Sequence, residues 1–298
     1  MDVLKKLIKE KRPHITDSSV KTYASLLKNM FYRDPDNKDE EINLEWFMDP
    51  EKVLPILEGK TPQTRKTNLA AIIVLLDGKA PKEYATKMNS DADASKEDYQ
   101  KQEKTEKQKE NWIDYEDVVE LWNAKYKKIR PVLFDMDKKD AKEEKELVKF
   151  MAMTLTAGIF FTPRRSEWVT MKVRNYDEKT DNYVDLKKGE FVFQKYKTAK
   201  KMGKEIVPYP KEFKAILTRY LKCVDNDYLI FNAKGLPLTN TILTQLLNGI
   251  YGKNVSTSML RHIYLSHKYA DMPSLKDLKA TADGMGHSVD TMLEYVKK

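Results

Sequence analysis

Cysteine is almost absent. Cys223 is the only one in 298 residues, so no internal disulfide can form and a disulfide-stapled scaffold is excluded. The four histidines form no cluster of metal-ligand spacing, even with Cys223 counted, and no metal or cofactor is implied. No run approaches the ~18 apolar residues of a membrane helix. Residues Met1 to Arg12 make a charged amphipathic start without a signal-peptide core, so an intracellular chain that is neither exported by that route nor held in a membrane is expected. The ten glycines form no phosphate-cradling loop, the carboxylates do not cluster, and there is no internal repeat. Arginine is scarce as well, at nine of 54 basic residues.

What is present is a 41% apolar chain long enough to bury two cores, which favours two domains. The formal charge of +8 suits a polyanionic partner without demanding one, and the lysine excess equally fits the coding bias of an AT-rich genome. Lysine touches phosphates adequately but reads base edges poorly. A mainly helical α+β fold with a small antiparallel sheet is expected. Residues 1–85 read as a helical domain. Asp17-Ser18-Ser19 can cap a helix carrying Val20, Tyr23, Leu26, Leu27, Met30 and Phe31 on one face. Thr61-Pro62 precedes a second apolar helix that closes at Asp77-Gly78. Helix starts offer free N–H groups to phosphate, which makes Lys21, Arg65 and Lys66 candidate backbone contacts. Ordinary capping and solvation explain any one of them as well. Residues 86–111 lack aliphatics beyond alanine from Asp91 onward and read as a charged linker, helical through Glu–Lys pairs or a tolerated surface insertion.

A second domain is expected over 112–298. Helices are predicted from Asp114, from Leu147 to Phe161, from Phe213 to Leu221 and from Asn240 to Tyr251. Short strands are predicted at 183–186, 191–193 and 206–208, where the apolar period changes. The last forty residues read as two helices joined by a glycine turn. Directly after the first apolar helix comes Thr162-Pro163-Arg164-Arg165-Ser166-Glu167-Trp168, and arginines there are costly unless they meet an anion or solvent. The span Gln194 to Lys204 holds five lysines and no acid, on the hairpin between the second and third strands. Ser258-Met259-Leu260-Arg261-His262, Gly286-His287-Ser288 and Tyr295 complete the set. A tyrosine attacks phosphorus only if its phenol, with a pKa near ~10, loses its proton while cations stabilise the phosphate charge.

In this order the elements resemble the catalytic signature of the tyrosine recombinase (phage integrase) family. The specific motifs lie within residues 160–298; residues 1–85 match the family's core-binding domain only in size and helical character. The resemblance implies that Arg164 is the first active-site arginine, in an R-x-S-E-L string with Trp168 at the aliphatic position, or Arg165 if the register shifts by one. It implies that Glu167 orients neighbouring groups, and that Lys197, or second to it Lys200, protonates the departing 5′ oxygen. Arg261 and His287 would bind the phosphate, and Tyr295 would be the nucleophile. Ser258 stands where the family has histidine, and a hydroxyl cannot accept the phenol proton at neutral pH. His262 is expected to pack as a structural residue. Lys195, Lys200 and Lys201 are expected to touch DNA alongside Lys21, Arg65 and Lys66.

The implied activity is site-specific recombination or integration of double-stranded DNA through a 3′-phosphotyrosine, without metal or ATP. The host element would be a virus or mobile element, and the chain would self-associate into a synaptic tetramer on DNA. With three residues after Tyr295, that tetramer is expected to use surfaces other than a long tail. A type IB topoisomerase shares this chemistry, and a DNA-binding protein with a degenerate site is the alternative that Ser258 encourages.

Overall fold

The computed structural model describes residues 2–135, 139–286 and 288–294. It is mainly helical with one small antiparallel sheet, and it divides into two compact units, 1–103 with 273–298, and 104–272.

The first unit begins with α1 (Asp2–Lys11) and α2 (Asp17–Phe31). The cap of α2 falls one residue before the expected Asp17-Ser18-Ser19: the Thr16 hydroxyl accepts from the Ser19 N–H. The apolar face of α2 buries Val20, Ala24, Leu27, Met30 and Phe31. Phe31, Trp46 and Phe47 meet edge to face, with ring centroids 4.9 and 5.3 Å apart along the chain of contacts. Then come α3 (Pro50–Leu57) and α4 (Pro62–Leu76), the latter capped by Thr61 with Pro62 in its first turn and closed by Asp77 at φ 43°.

The expected linker is largely a packed helix. α5 (Lys82–Lys101) lies along α4 and buries Tyr84, Asp91 and Ser95, and the Tyr84 hydroxyl donates to the Phe47 carbonyl at 2.9 Å. The first unit therefore runs to residue 103 instead of 85. Composition misleads here because α5 is anchored by an ion pair in place of an apolar stripe. Asp91, with its side chain 2% exposed, takes Arg65 through Nε at 3.0 Å and a terminal nitrogen at 2.6 Å.

In the second unit, α6 (Glu106–Asn111) opens with a Thr105–Gln108 capping box. It is followed by α7 (Tyr115–Phe134) and α8 (Ala141–Thr156), the latter started by an Asp140–Glu143 box. Trp122 of α7 donates to the Thr154 hydroxyl of α8 at 2.9 Å. α8 stops at Thr156, short of the expected Phe161, because Gly158 turns the backbone to φ 81°. The sheet is β1 (Tyr183–Asp185), β2 (Glu190–Phe193) and β3 (Glu205–Pro208), all antiparallel in that order, with Val184 opposite Phe191 and Phe191 opposite Val207. A short helix α9 (Ala199–Met202) sits in the β2–β3 hairpin. One face of the sheet buries Phe191 and Phe193 against Trp168, Phe161 and Phe213. Helices α10 (Lys211–Cys223), α11 (Asn240–Tyr251) and α12 (Thr257–Lys268) complete this core.

The chain then returns to the first unit with α13 (Leu275–Gly284) and α14 (Val289–Glu294), so the final segment is three helices in two units. α13 packs on α5, and its Leu275 N–H donates to the Gln102 side chain at 2.7 Å. By this division residues 273–298 group with the helical first unit, whereas the sequence reading places them in a domain over 112–298. Among the described residues no helix is long and apolar enough to cross a membrane.

Candidate functional site

The turn after α8 brings the arginine motif to the helix that carries Arg261. Gly158 lies against Tyr264 of α12, so closely that a β-carbon there would stand 2.6 Å from the Tyr264 ring and 2.9 Å from Pro163. The Tyr115 hydroxyl donates to the Gly158 carbonyl at 2.8 Å, and its ring meets Tyr264 edge-on at 5.6 Å. Burial and the neighbouring Tyr264 push the Tyr115 phenol up to about 12, so it stays protonated and keeps donating. His267, a turn further along α12, stacks on Tyr115 at 4.8 Å and approaches Glu116 at 3.1 Å. This aromatic joint fixes the start of α7, the end of α8 and the middle of α12 to one another.

Arg164 follows Pro163 and is drawn to the sheet. Its guanidinium carbon lies 3.9 Å over the Phe193 ring and 5.5 Å from that of Tyr196. Its terminal nitrogens donate one each to the two oxygens of Glu205, at 2.8 and 3.0 Å. That guanidinium holds the Glu205 carboxyl below the usual carboxylate range. The Arg164 Nε, a Glu167 carboxylate oxygen and the Trp168 indole N–H are all buried without a hydrogen-bond partner. Arg165 is half-buried and carries no ion pair among the described residues.

On α12, Met259, Leu260 and Ile263 face the core. Arg261 is half-buried and has no carboxylate partner among the described residues, and Ser258, one turn earlier, is exposed. His262 is exposed as well, because the buried side of α12 runs through its neighbours on either side; the expectation that it packs is corrected. The hairpin root is held by Asn182, which is almost fully buried. Its side-chain oxygen accepts from the Gln194 and Lys195 N–H groups at 2.8 and 2.7 Å, and its amide donates to the Lys195 carbonyl at 2.8 Å. Tyr196 ties the tip by donating to the Gly203 carbonyl at 2.8 Å. Lys197, Lys200 and Lys201 are exposed, and Lys195 is paired with Asp181 at 3.3 Å. A backbone N–H from Asp177, then Lys172 and Lys195, draw the Asp181 carboxyl down to about 2.

Arg164, the root of the lysine hairpin and α12 thus share one region of the second unit, joined through Tyr196 on one side and Gly158–Tyr264 on the other. His287 and Tyr295 lie outside the described residues. In the first unit Lys21 is exposed. Lys66 lines a cleft of α4, α5 and α13 together with Lys96, Tyr99 and Lys279. Arg65, expected to hold phosphate, is turned inward: Asp91 takes two of its nitrogens and the Lys60 carbonyl a third. Sequence reasoning missed Gly158, Asn182, Asp181 and Glu205. A glycine just past an apolar helix was a readable stop, but the Glu205 partnership spans 41 residues and has no local signature.

Comparison with family models, with curated proteins and with solved structures returns no match to this chain.

Proposed function

We propose that the chain is a site-specific DNA strand transferase of the tyrosine recombinase type, acting on double-stranded DNA inside the cell that hosts a virus or mobile element. The observation that carries the reading is the meeting of the Arg164 turn with the Arg261 helix at Gly158 and Tyr264, in a chain whose motifs follow the family's order. Arg164 and Arg261, with His287, would hold the nonbridging oxygens of one phosphate and offset the charge that builds on it. The Tyr295 oxygen would attack phosphorus as the bond to the 5′ oxygen breaks, and Lys197, exposed at the hairpin tip, would give that oxygen its proton. Because Ser258 cannot take the phenol proton, water is the acceptor in this scheme. The phosphotyrosine keeps the bond energy, so rejoining to another 5′ hydroxyl needs no ATP. Assembly into a tetramer would follow DNA binding.

The second reading is a DNA-binding protein with a degenerate site. Ser258 and the carboxylate already seated on Arg164 favour it. A nicked suicide duplex, from which the leaving strand escapes, separates the two. Covalent adduct should form with the unchanged chain and vanish in Tyr295→Phe; absence of adduct in both refutes the strand-transferase reading. A type IB topoisomerase would relax supercoils without paired sites.

A further inference from the structure

Glu205 opens β3, an edge strand of the sheet, and its carboxylate meets the Arg164 guanidinium oxygen for nitrogen at 2.8 and 3.0 Å. This fork-to-fork pairing is how a guanidinium grips either a carboxylate or a phosphate, so Glu205 fills the face of Arg164 that a phosphate would use. Two roles compete for such a carboxylate: holding the arginine in place, or occupying it.

The surroundings decide between them. The Arg164 guanidinium is already seated on Phe193 at 3.9 Å and flanked by Tyr196 at 5.5 Å. Phe193 is itself buried edge-on against Trp168 at 5.3 Å, and Tyr196 is tied through its hydroxyl to Gly203 at 2.8 Å. The guanidinium plane therefore has supports that do not involve Glu205. Glu205 is also the more solvent-facing partner, its side chain 43% exposed against 17% for Arg164.

We propose that Glu205 is a specificity-determining residue: an internal carboxylate that occupies the Arg164 fork until a phosphodiester held by the rest of the protein displaces it. This rests on the reading of Arg164 as a phosphate ligand. An ion pair with one partner half in solvent is weak enough to exchange. A tethered carboxylate nevertheless competes at an effective concentration on the order of millimolar, which a free anion below that level does not overcome. A duplex already held by the hairpin lysines presents its phosphate at a comparable effective concentration, so Glu205 selects held DNA over loose anions.

The test uses the full-length chain with its Glu205→Gln and Glu205→Ala variants, and phenylglyoxal modification of Arg164 read by peptide mass spectrometry. Arg165 serves as the internal reference and inorganic phosphate as the protecting ligand. In both variants Arg164 should react faster than in the unchanged chain while Arg165 does not. Phosphate should protect it at concentrations lower by about fivefold, the upper range for a partly exposed ion pair. Equal rates, or phosphate protection that weakens, would make Glu205 part of the scaffold and overturn the proposal. A second measurement needs no variant: saturating sulfate should raise carbodiimide labelling of Glu205 in the unchanged chain over chloride of equal ionic strength, and no rise would overturn it equally. Neither readout requires strand cleavage. A chain that passes both yet forms no adduct at Tyr295 refutes strand transfer and leaves the anion site standing.

Discussion

Replacing Gly158 by alanine should loosen the joint on which the candidate site depends. The backbone there sits at φ 81°, a region that costs an L-residue about 1–2 kcal/mol. The added methyl would meet Tyr264 ring carbons at 2.6 and 3.1 Å and Pro163 at 2.9 Å. Neither neighbour is a free end. Tyr264 is braced by Tyr115, whose hydroxyl is spent on the Gly158 carbonyl, and Pro163 is buried in the turn. Overpacking of this kind costs about 1–3 kcal/mol, so the sum is about 2–5 kcal/mol of lost stability. Urea unfolding followed by tryptophan fluorescence reads the loss. A double-mutant cycle assigns it, because Tyr264→Ala removes the obstructing ring and should recover about 1 kcal/mol or more in the Gly158→Ala background. A loss under about 0.5 kcal/mol, or strict additivity of the two substitutions, would refute the claim that these residues lock α12 to the turn.

Asp91→Asn should cost about 2–3 kcal/mol in the same unfolding assay, since it leaves Arg65 without its anion at a site only 20% exposed on the arginine side; an unchanged midpoint would place α5 back among solvated segments. The Asp181 carboxyl, held down to about 2 in the folded chain, contributes stability that is fully present above its ordinary value near ~3.9 and fades as pH falls through about 2. Asp181→Asn should therefore flatten the stability profile between about pH 4 and pH 2, by on the order of 1 kcal/mol given solvent screening, and a profile identical to the parent's would contradict the pairing. Duplex affinity should fall steeply with salt, and Lys200→Ala with Lys201→Ala should reduce the log–log slope by about 2 if each contacts one phosphate; an unchanged slope would remove both from the interface.

The parts of the fold that were legible are those in which local pattern and burial agree. The β2 segment, apolar throughout Phe191 to Phe193, is buried and pairs with both neighbours, and α11 spans the predicted Asn240 to Tyr251 because Thr239 caps it and Gly252 turns it off at φ 66°. The linker was misread because Asp91 and Ser95, polar by composition, are buried in α5, and only the distant Arg65 makes that burial tolerable. The end of α8 was placed too late because Ile159, Phe160 and Phe161 continue the apolar run in a non-helical turn. For the site, the residue types could be read in order along the chain. Which of them already had partners could not, since Arg164 to Glu205 and Arg65 to Asp91 are contacts across 41 and 26 residues.

Scarcity gives the arginines a further meaning. The chain meets most of its need for positive charge with lysine, and six of its nine arginines engage a carboxylate or an aromatic face. Arg12, Arg65, Arg164 and Arg174 pair with Asp77, Asp91, Glu205 and Asp225, and Arg130 and Arg219 lie against the Phe134 ring. Arg33 is exposed to solvent. Arg165 and Arg261 are half-buried and, among the described residues, have neither a carboxylate nor an aromatic face. Both flank the Gly158–Tyr264 joint in sequence, Arg165 just past the turn and Arg261 one helical turn before the tyrosine. On the strand-transferase reading proposed above, Arg261 would meet the phosphate directly, whereas Arg164 must first release Glu205.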